Sequence, residues 1–367
     1  MTRWGVRRIA AAALLWLGLA LPIAADAPAW QSASPELDGH HVHDLAVSPV
    51  DGRQVLAGGE LGIYRTLDGG DTWSPFNQGI ATAHRPILRL TQHATAPWTV
   101  YAASEDALYR WREGEATWQN ITSRLPAAGS RVYGLTAAPS DQGRLYAVLE
   151  GLDHWLLVSY DWGDAWIQRP GNLAQNGWRL PGAQPLGNSI VVAAHDPELL
   201  MHAQSPATPQ ILLSPNAGVT WAAYSLPGGG VYALDMAHQG APWPAFAGTS
   251  GAGVYALASA NDPWLAASTN LPGNGADDVI RTIAVHPAAP EHVLAGVDGH
   301  GVYRTLDGGA WWEPFGEGLP EDAGLRIYRL NWGTGGGSLL WAATNDGVWH
   351  ITGTPLYLPA LWRHSAP

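Results

Sequence analysis

Two pairs of adjacent acids, Glu105-Asp106 and Asp277-Asp278, and the run His40-His41-x-His43-Asp44 are the residues with the most distinctive chemistry. Two carboxylates about 5 to 9 Å apart across a cleft hydrolyse glycosidic bonds. Acids adjacent in one loop do not by themselves establish that spacing, and a solvated acidic rim is the plainer reading. Imidazoles suit Zn, Cu or Ni, but no second ligand pair at helical or hairpin spacing accompanies these histidines, so no metal is expected. The chain has no GxSxG elbow, P-loop or HExxH motif, which leaves the common hydrolase and nucleotide readings without support and implies no cofactor. With no Cys there is no disulfide, thiolate metal site or Cys nucleophile.

Charge narrows the partners. All 19 basic side chains are Arg, and 31 acids bring the net charge to −12, so nucleic acid is not an expected partner. When apolar stretches are stacked on Leu45, Leu90, Leu135, Leu234, Ile283 and Leu330, Asp44, Arg89 and Arg329 fall at one equivalent position, with Arg85, Arg131, Arg281 and Arg326 close by. Asp44 is therefore expected between Arg89 and Arg329. Such a cluster is either an internal ion-pair network or a site for a carboxylate or sulfate, which a guanidinium grips with two parallel hydrogen bonds. Glu60, Glu105, Asp106, Glu150, Asp298, His300 and Asp346 fall in a second set of loops on the same expected face. The expected ligand-binding set is Asp44, Arg89, Arg329, Arg85, Arg131, Arg326, Glu60 and Asp298.

The elements that position these residues repeat along the chain. Thr66-Leu67-Asp68-Gly69-Gly70-Asp71-Thr72-Trp73 returns as Thr305-Leu306-Asp307-Gly308-Gly309-Ala310-Trp311-Trp312. Looser copies run from Ser159 through Asp161 and Gly163 to Trp166, and from Ser214 through Asn216 and Gly218 to Trp221. Decayed copies end at Trp118 and Trp264. A Gly supplies positive φ for a tight turn, an Asp side chain accepts from the turn's N–H groups, and the Trp covers the hairpin with apolar area. Upstream of each lie two alternating apolar strands, the first beginning at Val42, Ile87, Val132, Ile190, Val231, Ile280 and Ile327. The spacing is close to the ~40–45 residues of a four-stranded blade, and alternation favours strand over helix. The expected fold is all-β, a single seven-bladed β-propeller. Its last unit lacks a box, whereas Ala29-Trp30-Gln31-Ser32 reads like the strand that follows one, so the N-terminal strand is expected to complete blade seven and remove open edges.

The pattern Ser/Thr-x-Asp-x-Gly-x-Thr-Trp resembles the Asp-box (BNR) repeat of sortilin/Vps10-type and photosystem II assembly-factor-type propellers, and more distantly of sialidases and family 74 glycoside hydrolases. The resemblance implies a propeller that binds a protein or a polysaccharide, with glycoside hydrolysis as the alternative. Against a sialidase stand the seven units and His84-Arg85-Pro86-Ile87, which holds the residues of that family's Arg-Ile-Pro motif in the wrong order. A xyloglucanase uses two propellers, and this chain has room for one. The box residues are read as structural, and Trp111, Trp155, Trp162, Trp178 and Trp332, outside the boxes, as blade packing or as stacking platforms.

The first 25 residues carry Arg3, Arg7 and Arg8, an apolar run from Ile9 to Ile23 and small residues after it, the three parts of a secretory signal peptide. An uncleaved anchor is the alternative and the one expected route to a membrane. The chain is thus divided into 1–25, a propeller over 26–354, and a tail over 355–367. A secreted or cell-envelope monomer is expected.

Overall fold

The computed structural model describes residues 28–93, 98–126, 131–150, 155–169, 190–204, 210–227, 230–238, 243–333 and 339–352. The N-terminal segment 1–25, Trp178 and the tail 355–367 lie outside the described residues. The strands begin with β1 (Gln31–Ser32). There follow β2 (Val42–Val47), β3 (Val55–Gly59), β4 (Gly62–Thr66) and β5 (Ser74–Pro75), paired in that order. β6 (Arg89–His93), β7 (Thr99–Ala103), β8 (Leu108–Arg112) and β9 (Gln119–Asn120) form the next sheet. Two more contain β10 (Arg131–Ala137), β11 (Leu145–Glu150), β12 (Trp155–Ser159) and β13 (Ile167–Gln168), then β14 (Ile190–Val192), β15 (Leu200–Gln204), β16 (Gln210–Ser214) and β17 (Ala222–Ser225). β18 (Val231–Met236), β19 (Ala245–Ala252), β20 (Val254–Leu257) and β21 (Leu265–Ala266) precede β22 (Ala276–His286), β23 (Ala289–Val297), β24 (Gly301–Thr305) and β25 (Glu313–Pro314). The last are β26 (Ile327–Trp332), β27 (Leu339–Thr344) and β28 (Val348–Thr352), beside which β1 lies, pairing Gln31 with His350 and Ser32 with Trp349.

This is an all-β propeller. Burial falls from the inside outward, as a wedge-shaped sheet requires: β2 and β3 are wholly buried, β4 partly, and both residues of β5 are exposed. The innermost strands touch in the order β2, β6, β10, β14, β18, β22, β26, and β26 touches β2. The apolar core lies between neighbouring sheets, not within one. One cluster joins Leu294, Val302 and Phe315 to Ile327, Leu330 and Leu340, and also holds Trp30. Close approach depends on glycine in three second strands. A Cβ on Gly58, Gly248 or Gly296 would stand 2.8, 2.7 or 2.8 Å from Ile87 Cγ2, Ile280 Cγ2 or Ile327 Cβ of the next first strand.

The sheet count departs from the expected seven separate blades. Five sheets are four-stranded, and the strands from β18 to β25 form a single eight-stranded sheet. The join is a β19–β22 ladder pairing Ser250 with Val279 and Ala252 with Ala276. Its cause is local: β19 and β22 run on past their own hairpins, and Gly253 meets Gly275 where a Cβ on the latter would stand 2.7 Å from Gly253 Cα.

The boxes lie between the third and fourth strands of their sheets and share one hydrogen-bond scheme. Thr66 Oγ1 donates to Asp68 Oδ1 (2.7 Å) and accepts from the Gly70 amide (2.9 Å), while Asp68 Oδ1 accepts from Thr72 N (3.0 Å). Ser159, Asp161 and Gly163 repeat this, with Ala165 N donating at 2.8 Å. So do Ser214, Asn216 and Gly218, with Thr220 N (2.8 Å), and Thr305, Asp307 and Gly309, with Trp311 N (2.9 Å). Each closing Trp that donates does so to the preceding unit: Trp73 to Ala33 O, Trp118 to Phe76 O (2.9 Å) and Trp312 to Ala267 O (2.6 Å). Trp166 and Trp221 Nε1 have no partner among the described residues.

Candidate functional site

The first strands share a repeated irregularity. The ladder of the first strand is bulged between Val42 and Asp44, Val132 and Gly134, Val231 and Ala233, Ile280 and Thr282, and Ile327 and Arg329. A bulged residue leaves the ladder and its side chain is re-aimed. The residues so placed are His43, Tyr133, Tyr232, Arg281 and Tyr328. Four of them form an arc. The Arg281 guanidinium carbon lies 5.8 Å from the Tyr232 ring and 6.0 Å from that of Tyr328, within cation–π reach. Tyr328 in turn lies 5.7 Å from the His43 ring and 5.9 Å from that of His41. Arg281 is held by Asp298 through Nε and Nη2, each 2.7 Å from a carboxylate oxygen. Burial pushes the His43 imidazole below its usual value, which favours the neutral ring, and its Nδ1 donates to Ile87 O at 3.0 Å.

Asp44 and Arg329 come together next to this arc in sequence, with Arg329 Nε 3.4 Å from Asp44 Oδ1 and 3.2 Å from Asn331 Oδ1. Arg89 does not complete the expected triplet as an ion pair. It is buried, its Nη1 donates to Leu88 O at 2.7 Å, and its Nε has no partner among the described residues. Asp44 also accepts from backbone, Oδ1 from Leu45 N and Oδ2 from Leu90 N, both at 2.9 Å. Asp44 thereby clamps β2 to β6. The device recurs around the channel: Asp235 Oδ2 accepts from Val285 N (2.8 Å), Thr91 Oγ1 from Ala137 N (3.1 Å) and Thr282 Oγ1 from Leu330 N (3.2 Å). Asn331 Nδ2 donates to Leu45 O (3.0 Å), linking β26 to β2.

On the rim, Glu60 faces His41 (3.4 Å), Glu105 pairs with Arg131, Asp106 faces His84 (3.7 Å) and Asp278 faces His300 (4.0 Å). Arg85 and Arg326 are exposed. A cleft of about 320 Å³ is lined by Ala83, Pro86, Ser104, Glu105, Asp106 and Arg131. The side chains of Glu150 and Asp277 lie outside the described set. His41 and His43 rings are 6.4 Å apart and already engaged, and no group of three His, Asp or Glu among the described residues has metal-site geometry. Trp111 and Trp332 are blade packing: Trp111 meets Phe76 and Trp98 at 5.3 and 5.6 Å, and Trp332 Nε1 donates to Ala284 O (3.3 Å). Tyr232 and Tyr328 escaped the sequence reading, although the residue after five of the seven aligned first-strand starts, His43, Tyr133, Tyr232, Arg281 and Tyr328, carried the signal.

No protein-family model matches the chain, and no curated protein matches it significantly in sequence. Solved structures do match in fold. YCF48 from Cyanidioschyzon merolae superimposes with a TM-score of 0.62 at 17% identity, over 88% of this chain and 98% of that one. A structure of YCF48 bound to D1 peptide gives 0.63 at 13%, over 90% and 96%. The GH74 xyloglucanase from Xanthomonas campestris gives 0.65 at 16%, over 88% of this chain and 53% of that one, so the chain spans about half of that enzyme.

Proposed function

We propose that the chain is an exported seven-bladed propeller of the Asp-box type that binds a protein partner at the channel mouth and performs no chemistry of its own. Seven blades follow if the eight-stranded sheet is counted as two units joined by the β19–β22 ladder, in keeping with the order of contacts from β2 round to β26. Closure by the N-terminal strand is supported by Trp30, whose Nε1 donates to Phe315 O at 2.7 Å as the box tryptophans donate to the preceding unit. The basic apolar segment 1–25 supports export, and residues 355–367 are read as a tail.

The observation that carries the binding reading is the arc from Tyr232 through Arg281 and Tyr328 to His43, in which Tyr232, Arg281 and the neighbouring His41 are partly exposed over the buried Tyr328 and His43. Tyr and Arg are the types enriched at recognition hot spots, and Asp298 fixes the Arg in place before any ligand arrives. The fold neighbour solved with a D1 peptide supports a peptide segment as the kind of ligand. Polysaccharide is the second reading, because tyrosine faces also stack on sugars. Hydrolysis is disfavoured: Glu60, Glu105, Asp106, Asp278 and Asp298 each face a cationic or imidazole partner, and Asp44 is spent on backbone amides.

The test is capture of envelope proteins on the immobilised chain with variants on opposite faces. Tyr232→Ala and His41→Ala should lose the captured protein at unchanged melting temperature, whereas Leu67→Ala and Leu306→Ala, on exposed box positions, should retain it. Loss through the box variants alone would place binding on the other face and sink this reading.

A further inference from the structure

The outer edge of the β14–β17 sheet differs from the others in two independent ways. β17 has four residues, whereas β1, β5, β9, β13, β21 and β25 have two each. Its ladder extends accordingly, from Leu213↔Ala222 to Gln210↔Ser225. The second difference is charge. On a chain of net charge −12, no Asp, Glu, Lys or Arg occurs between Glu198 and Asp235.

Backbone direction follows from the equivalent strands. In the first sheet Tyr64 opposes Pro75, and Phe76 N donates inward to Ile63 O. Pro75 and Pro314 therefore sit where the N–H would point away from the sheet, and a proline there blunts the edge. Ala223 opposes Leu212 at the same position of its own sheet. By alternation Ala223 and Ser225 direct their N–H groups outward. Ala222, Ala223 and Ser225 are exposed, and Val219 in the adjoining box is 44% exposed.

We propose that β17 is a self-association edge, on which a second copy of this chain pairs its own β17 antiparallel across a twofold axis. An antiparallel pair of identical strands is self-complementary, the property that an isologous contact requires. Two acidic copies repel over most of their surfaces, and the stretch from β15 to β17, which follows Glu198 and carries no charged side chain, is where they meet without opposing like charges. The interface is small, so the dimer is concentration-dependent, and salt, which screens the repulsion between the two acidic copies, strengthens it.

Sedimentation velocity over a concentration series tests this on the full chain. The wild-type mass should rise toward twice that of one chain, while Ala223→Pro, which installs the residue native at positions 75 and 314, should stay at one chain's mass with an unchanged melting temperature. Ala223→Lys is the second variant, and its charge should abolish pairing even if the proline disturbs the sheet. A wild-type chain that remains single up to about 1 mM, the weak end of specific association, overturns the proposal. So does a dimer that survives both substitutions, or a single chain that uses this edge to hold a different protein.

Discussion

Among the described residues the Thr66 hydroxyl is the acceptor for the Gly70 amide, a buried group, whereas Asp68 accepts from Thr72 at the surface. The two residues of one turn should therefore differ in cost. Thr66→Val leaves a buried donor unsatisfied and should destabilise by about 1 to 3 kcal/mol, while Asp68→Ala exposes its donor to water and should cost about 1 kcal/mol or less. Chemical denaturation of both variants checks this, and equal losses would contradict it. Hydrogen bonds from the Thr72 hydroxyl, the Thr66 hydroxyl and the Thr72 amide hold the Asp68 carboxyl down at about 2, so the turn stays ionised until strong acid. Histidines that burial lowers act in mild acid, His93 among them beside His43, His286, His292 and His350. His93 is 1% exposed, between the rings of Trp162 (4.7 Å) and Tyr101 (5.9 Å), and burial pushes it down to about 4. The unfolded chain then binds the proton more readily, so stability is full above about 6.5 and falls as pH drops toward 4, by roughly 3 kcal/mol in all. His93→Phe, which keeps an aromatic ring, should make the fall between those pH values shallower; an unchanged slope would show that the other histidines carry it.

Among the elements, β1 carries a disproportionate role for two residues. Its preceding Trp30 is 2% exposed and packs with Val302, Phe315, Leu319 and Ile327 across two sheets. Trp30→Ala should cost about 3 to 5 kcal/mol, the range for large aromatics removed from cores. A chain that starts at Gly39 should melt far below one that keeps residues 26–38, and equal melting would mean that β1 closes nothing. Trp30 was legible in the sequence because a box Trp announces itself by its neighbours, and Thr72-Trp73-Ser74-Pro75 supplied the template. The β19–β22 junction was not legible. It depends on two glycines, Gly253 and Gly275, approaching across a turn, and a glycine in a loop-rich chain gives no sign of which backbone it will meet.

Across the whole molecule, the same side chains that hold the ring together also shape its mouth. Asp44, Thr91, Asp235 and Thr282 tie β2 to β6, β6 to β10, β18 to β22 and β22 to β26, and bulges in β2, β18, β22 and β26 take His43, Tyr232, Arg281 and Tyr328 out of the ladder. Stacking the repeats puts Asp44, Arg89 and Arg329 at one position, where Arg329 lies 3.4 Å from Asp44 and Arg89 feels its charge, but an alignment of side chains does not show that both Asp44 oxygens also accept backbone amides. Asp44→Asn should accordingly lower stability more than Arg329→Ala: Asn has one acceptor oxygen for two donors, whereas Arg329 leaves the amide clamps intact. Thermal melts of the two variants give the order, and the reverse order would reinstate the ion pair as the main contact.

The claim that this mouth binds without reacting is tested most directly by incubating the exported chain with sialosides and with xyloglucan and following free sugar and new reducing ends. The account predicts no release above the buffer control with any substrate. Turnover that disappears in Glu60→Gln or Asp298→Asn while the fold is retained would contradict it, because those carboxylates would then be acting on substrate and not holding His41 and Arg281.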